Sequence, residues 1–195
     1  MPLSAPAPRK ASHIRRVTYQ GYEREDGLWD IEAELHDSKA HDMPSFRREG
    51  VRLAGDPIHH MWLRVTIDRQ LVVHAIEAAM DAHPLQDCPQ ARPALQGMVG
   101  TCMARGWRQA IAQHLGGVAS CTHLRELLFN MATAAYQTLP AGQWHRREQA
   151  GQPQPEITKA PYHLGQCHSW AYDSPTVQRA YPMFFKPKAV EGTGN

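Results

Sequence analysis

The stretch YEREDGLWDIEAELHD, residues 22–37, decides the fold. Asp26-Gly27 between two alternating segments is the strongest short-range signal for a β-hairpin, since both residue types tolerate the positive φ of a tight turn. After the turn the side chains alternate with period two. Trp29, Ile31, Ala33, Leu35 and Asp37 share one face, and Asp30, Glu32, Glu34 and His36 share the other. An apolar face beside a charged one is the pattern of an antiparallel strand buried on one side. Before the turn, His13 to Glu23 reads as its partner, with Val17 and Tyr19 on one face.

Downstream, residues 38–57 contain Pro44, Gly50, Gly55 and Pro57 and read as a loop, longer than most and of the kind that carries function or moves. Ile58 to Ile67 is a third strand. His59, Met61, Leu63, Val65 and Ile67 lie on one face, and His60, Trp62, Arg64 and Thr66 on the other. A short turn at Asp68-Arg69-Gln70 leads into a fourth strand, Leu71–Met80.

The second half reads as helical. Pro89 precedes a segment Gln90–Met98, and Gly106–Leu115 is stopped by Gly116-Gly117. Thr122 is an N-cap candidate for a helix that ends near Leu139, before Pro140. Its apolar stripe is Leu124, Leu127, Leu128, Met131 and Ala135. Residues 140–160 read as a mobile loop, and Ser174-Pro175 opens a last helical turn before Pro182. Strands first and helices after predict an α+β fold: an antiparallel β-meander of about four strands followed by helices packed on one face. The expected organisation is a disordered tail over 1–12, a single α+β domain over 13–185 and a disordered tail over 186–195.

Composition excludes several classes. The chain has 195 residues, with 21 Lys and Arg against 19 Asp and Glu, a net charge of +2. That balance argues against nucleic acid as a partner, which calls for clustered positive charge. No run is long and apolar enough to span a membrane. The first residues, MPLSAPAPRKASHIRR, carry no apolar core ahead of their basic residues, so a cytoplasmic chain is expected. In a reducing compartment Cys88, Cys102, Cys121 and Cys167 are thiols and not disulfides. No phosphate-binding loop, serine nucleophile elbow or dinucleotide fingerprint occurs.

The candidate site comes from placing His, Asp and Cys on the elements. Asp37 ends the second strand on its apolar face, and His59 begins the third on the same face. A lone carboxylate there must be paired or coordinated, or it costs several kcal/mol. Cys121 and His123 open a helix, whose first turn offers N–H groups and a positive dipole end that favour a thiolate. Cys88 precedes another helical segment in the same way. Asp37 and His59 are therefore the catalytic candidates, and Cys88, Cys121 and His123 the metal candidates, with zinc the natural occupant of a mixed set. Cys167 and His168 are left open as further members. Each of these residues also has an ordinary reading: a thiol as a small hydrophobe, His59 at a strand end, Asp37 closing a turn. Tyr19, Tyr22 and Trp62 are candidates for an aromatic-lined substrate pocket.

Four segments in this order, YEREDGLWDIEAEL (22–35), PIHHMWLRVTID (57–68), LGGVASCTHLREL (115–127) and Cys167 with Tyr181-Pro182, resemble a bacterial family, the domain of unknown function 2889 family, over about residues 13–185. The resemblance implies a setting in the breakdown of aromatic compounds. A looser topological similarity runs to the iron–sulphur scaffold fold. There Cys88, Gly100-Thr101 and Cys121 occupy familiar places, and Asp37 stands where the first-hairpin cysteine is expected.

Two functions follow as expectations. One is an enzyme on a small aromatic or hydroxylated substrate, a lyase of the retro-aldol kind or a hydrolase. It works by acid/base chemistry with or without a metal and without a redox cofactor. The alternative is a metal- or iron–sulphur-handling scaffold with Cys88 and Cys121 carrying the cargo. Homo-oligomerisation is left open.

Overall fold

The computed structural model describes residues 3–46 and 49–188. They fall into two compact units, Met1–Arg146 and Arg147–Asn195. In the first, β1 (His13–Glu23) and β2 (Trp29–Lys39) are joined at the expected hairpin. Gly27 takes φ 84°, and Asp26 Oδ1 accepts from the Leu28 N–H at 3.2 Å, so turn chemistry sets the reversal. β5 (Pro57–Ile67) and β6 (Val73–Ala82) complete a four-stranded sheet in the order β1-β2-β5-β6, antiparallel throughout. The α+β fold is thus as the alternation predicts. Within the 38–57 segment lies a small arm, β3 (Met43–Pro44) paired with β4 (Val51–Arg52).

The sheet is two-sided. Trp29, Ile31, Ala33, Leu35, Met61, Leu63, Val65 and Ile67 are all buried. The other face carries charged ladders such as Glu32 with Arg64 at 2.6 Å. The buried face packs on α1 (Trp107–Leu115) and α2 (Thr122–Gln149), through Trp107, Ile111 and Leu115 and through Leu124, Leu127, Leu128, Met131, Ala135 and Leu139.

α2 runs along β1. Arg15 reaches Glu126 at 3.1 Å, Gly21 lies against Thr138, and Arg146 pairs with Glu23 at the far end. The spans match: 23 helical steps from 123 to 146 cover about 34 Å, and the ten strand steps from 13 to 23 about 33 Å. This pairing explains why the helix continues past Pro140, where the sequence predicts a stop. Proline costs about 3 kcal/mol inside a helix. Beyond it, however, Gly142 packs on the Trp29 ring, and Arg146 lies over that ring at 5.6 Å. The last turns are held by tertiary contacts, and residues 140–149, expected in a loop, are helical.

Two smaller expectations also shift. The 90–98 segment forms two 3₁₀ turns, Cys88–Ala91 and Pro93–Met98, and no α-helix. Pro89 and Pro93 lack the N–H groups that an α-turn would use. The fourth strand starts at Val73 and not at Leu71, because Leu71 sits in the turn at φ 64°. Asp68 Oδ1 holds that turn by accepting from Gln70 and Val72 N–H at 2.8 and 3.0 Å.

The second unit contains α3 (Pro175–Ala180), N-capped as expected by Ser174, whose Oγ accepts from Val177 N–H at 3.1 Å. Leu164 and Val177 are its buried residues among those described. Residues 3–12 are exposed and without strand or helix, and of the tail expected over 186–195, residues 189–195 lie outside the described residues.

Candidate active site at the rim of the sheet

Arg15, Asp37 and His59 are direct cross-strand neighbours on β1, β2 and β5, all on the face turned to the helices. The register shifts between Asp37 and Ser38, and both are buried, so the alternation that keeps every second residue of β2 partly open is broken here. Such bulges re-aim side chains next to sites.

Asp37 is 2% exposed, and both its oxygens are engaged. Oδ2 accepts from Arg15 Nη2 at 2.8 Å and Nε at 3.2 Å, with His13 Nε2 at 3.9 Å, and Oδ1 lies 2.9 Å from His59 Nδ1. Burial alone would raise the carboxyl's pKa. The His59 and Arg15 hydrogen bonds outweigh it, and Asp37 is held below the usual carboxylate range. An ionised carboxylate only accepts, so the ring proton of neutral His59 sits on Nδ1 and Nε2 presents its lone pair.

α2 supplies the other half. The His123 ring lies 3.9 Å from that of His59, centroid to centroid, tilted by 37°. Ligand atoms of Asp37, His59 and His123 all fall within 4.8 Å of one another. Cys121 accepts the Arg125 N–H with its carbonyl, which makes it the N-cap one residue before the expected Thr122. Its Sγ is 3.8 Å from His123 Nδ1. Burial pushes this thiol up, but His123 and the Leu124 and His123 backbone N–H groups outweigh that, and the thiol is held below its ordinary value.

The structure therefore brings together Asp37, His59, His123 and Cys121. The converging ligand set is Asp37, His59 and His123, with Cys121 one step out behind His123. Cys88, in its 3₁₀ turn, is outside that set. The three aromatic candidates do not share a pocket. Tyr19 is on the helix-facing side, packed on the core, its phenol raised by burial against the opposing Asn130 hydrogen bond. Tyr22 and Trp62 are exposed on the opposite face, where Trp62 Nε1 donates to Asp81 at 2.9 Å. Residue numbers of opposite parity in one strand put Tyr19 and Tyr22 on opposite faces. Cys167 is exposed and His168 begins a 3₁₀ turn, both in the Arg147–Asn195 unit.

Arg15 and Glu126 were not among the residues singled out by sequence. Arg15 is the counter-charge of Asp37, and Glu126 takes its other end. The signal was available in the hairpin: paired residues of β1 and β2 sum to 52, which places 15 opposite 37.

No helix of the described residues is long and apolar enough to cross a membrane. No curated protein and no solved structure matches the sequence. A family model described as a protein of unknown function, DUF2889, matches residues 13–137, which contain the sheet, the rim and most of α2. With well over half of its length under that match, the chain belongs to the DUF2889 family.

Proposed function

We propose that the chain is a lyase of the retro-aldol kind, acting on a small hydroxylated aromatic substrate at the rim of the sheet. The observation that supports this reading is the oriented pair: a buried, charge-balanced Asp37 fixing His59 through Nδ1. His59 takes the proton of a substrate hydroxyl. The C–O bond becomes a carbonyl as the neighbouring C–C bond breaks, and an aldehyde leaves. The electron pair passes to an electron-withdrawing group on the other fragment, and a proton returned to its carbon closes the cycle. His123, in ring contact with His59 and backed by Cys121, gives that proton and is recharged by the one His59 took, so both rings end as they began. Base and acid of this sort are each worth about 10²–10⁴ in rate.

The convergence of three ligand groups favours a second reading of the same residues. Two imidazoles and a carboxylate suit a divalent cation, zinc above all, that would hold the substrate oxygen and lower its pKa. The set holds no thiol, which weighs against a sulphur cargo on Cys88 and Cys121.

One experiment separates these. Protein purified without an affinity tag is analysed for metal and assayed for aldehyde release from aryl-substituted β-hydroxy substrates, before and after chelator. The oriented-base reading expects activity that survives the chelator and falls about 10²-fold or more in His59→Gln. Activity lost with the metal and restored by zinc selects the cation reading. A His59→Gln protein as active as the wild type ends both.

A further inference from the structure

The two edges of the four-stranded sheet differ. β6 is covered: the Val73 N–H donates to the Thr101 carbonyl at 2.9 Å, the Gly100 N–H to the Val73 carbonyl at 2.8 Å, and Gln96 Nε2 to the Ile76 carbonyl at 3.0 Å. β1 is bare. It runs for 11 residues, and all but Tyr19 are exposed. Its ladder with β2 uses half of its backbone. On one side of β1 the Arg24 N–H donates to the Leu28 carbonyl at 3.0 Å, and on the other the Ala40 N–H donates to the Ser12 carbonyl at 3.1 Å. Ser12 and Arg24 are both even-numbered, and the register between them is unbroken. Bonded pairs recur at every second residue of an antiparallel ladder. The even residues of β1 therefore bond to β2. The six odd ones, from His13 to Glu23, turn N–H and C=O out of the sheet, with no backbone partner among the described residues. Sheets guard such an edge with proline, lysine, a bulge or a short strand. β1 has no proline, no lysine and no bulge.

We infer that β1 pairs antiparallel with β1 of a second copy of this chain, about a two-fold axis at Thr18, joining the two sheets into one. The strand is complementary to itself in that register. Thr18 is its middle residue, so every residue from His13 to Glu23 finds a partner. His13 faces Glu23, a ring N–H against a carboxylate. On the helix side Val17 faces Tyr19, and on the other side Ile14 faces Tyr22, pairs of the kind that hold sheets together. Arg15, already bonded to Asp37 and Glu126, faces Gly21, which adds no side chain. Arg16 faces Gln20, so no like charges meet. An axis at Arg16 would set that arginine against itself, and axes at Val17 or Tyr19 would leave one end of each strand unpaired. Along the middle of β1, α2 carries no charged residue from 127 to 137, so none gathers at the axis from that side. Six bonded pairs exchange two hydrogen bonds each, about twelve in all. Arg15 and its copy stand six strand steps apart, about 20 Å, so each copy keeps its own rim. The pairing is independent of the lyase reading.

Sedimentation of the full chain at micromolar concentration is expected to give the mass of two chains. Val17→Pro removes an N–H that has no backbone partner within its own chain, at the kind of edge position where proline is tolerated. It should leave the circular dichroism unchanged and weaken the dimer at least about tenfold, because the bond is lost twice across the axis. Cross-linking reads the register and carries the test if Val17→Pro does not fold. In a Cys167→Ser background, which removes the exposed thiol, Thr18→Cys should form an intermolecular disulfide on oxidation. Opposed residues of a non-bonded pair have Cα atoms about 4.5 Å apart, within disulfide reach. Gln20→Cys should not form one, since its copy lies four strand steps away, about 13 Å. A wild-type chain that runs as a monomer overturns the inference and leaves the edge to a strand of another protein. A folded Val17→Pro dimer as tight as the wild type's, or a Thr18→Cys chain that links no better than Gln20→Cys, overturns it as well.

Discussion

At the residue scale the rim is governed by one buried charge. Asp37 is ionised in the folded chain because Arg15 and His59 meet both its oxygens, and each partner of Asp37 lies in an adjacent strand. Its folded pKa lies below its unfolded value, so in acid the unfolded chain binds the extra proton first. The stability contributed by the pair is present above the unfolded carboxylate value of about 3.9 and is lost as pH falls through the lower, folded value. Denaturant unfolding from pH 6 downward should show this loss in the wild type. In Asp37→Asn that component is missing and the two stability curves converge in acid. At neutral pH the variant is destabilised by roughly 1–3 kcal/mol, since Arg15 and His59 lose their acceptor. A variant whose stability falls with acid as steeply as the wild type's would contradict this account of Asp37. Asp37 and His59 were legible in sequence, because a polar residue on an apolar face at a strand end announces itself by period two. Arg15 was not, because an arginine on an edge strand reads as solvated until the register is counted.

At the element scale the deciding contact is between α2 and β1. A Cβ on Gly21 would stand 2.0 Å from Thr138 Oγ1, so helix and strand approach as closely as they do only because position 21 has no side chain. Gly21→Ala should therefore cost about 1–3 kcal/mol, the ordinary effect of overpacking. Thr138→Ala in the same chain should recover only part of it, because the Thr138 Cβ itself would stand 2.7 Å from the new one. Chemical denaturation of the two variants and the double measures the coupling, and simple additivity would place the helix elsewhere. Helix α2 also marks the limit of local reading. Its start was visible in Cys121-Thr122 and its stripe in the leucine spacing, whereas its end was not. Pro140 is a local stop signal, and what overrides it is Trp29 and Glu23, more than a hundred residues earlier. The same limit undid the grouping of Tyr19 with Tyr22 and Trp62: Tyr19 is only three residues from Tyr22, yet strand parity puts it on the other face.

At the scale of the whole molecule, the meander was readable because four segments alternate and two of their three connections are short turns. The boundary between the two compact units falls within the polar 140–160 stretch, which the sequence presents as a loop inside one domain. All four cysteines are free, with Cys167 exposed and Cys88, Cys102 and Cys121 partly buried. A thiol reagent should find Cys167 first in the native protein and all four after denaturation without reductant. A count of two would mean a bridge that this structure does not have. The row Arg15, Asp37, His59 has a bearing on the order of events during synthesis. Its members belong to strands joined by hairpin steps, 22 residues apart each time, while His123 follows His59 by 64. Contacts close in sequence form sooner than distant ones. The emerging chain thus gives Asp37 its guanidinium before the helix arrives to cover it, and no core closes over a bare charge. His123 reaches the rim last, so the charge of Asp37 is settled before the three-residue cluster is complete.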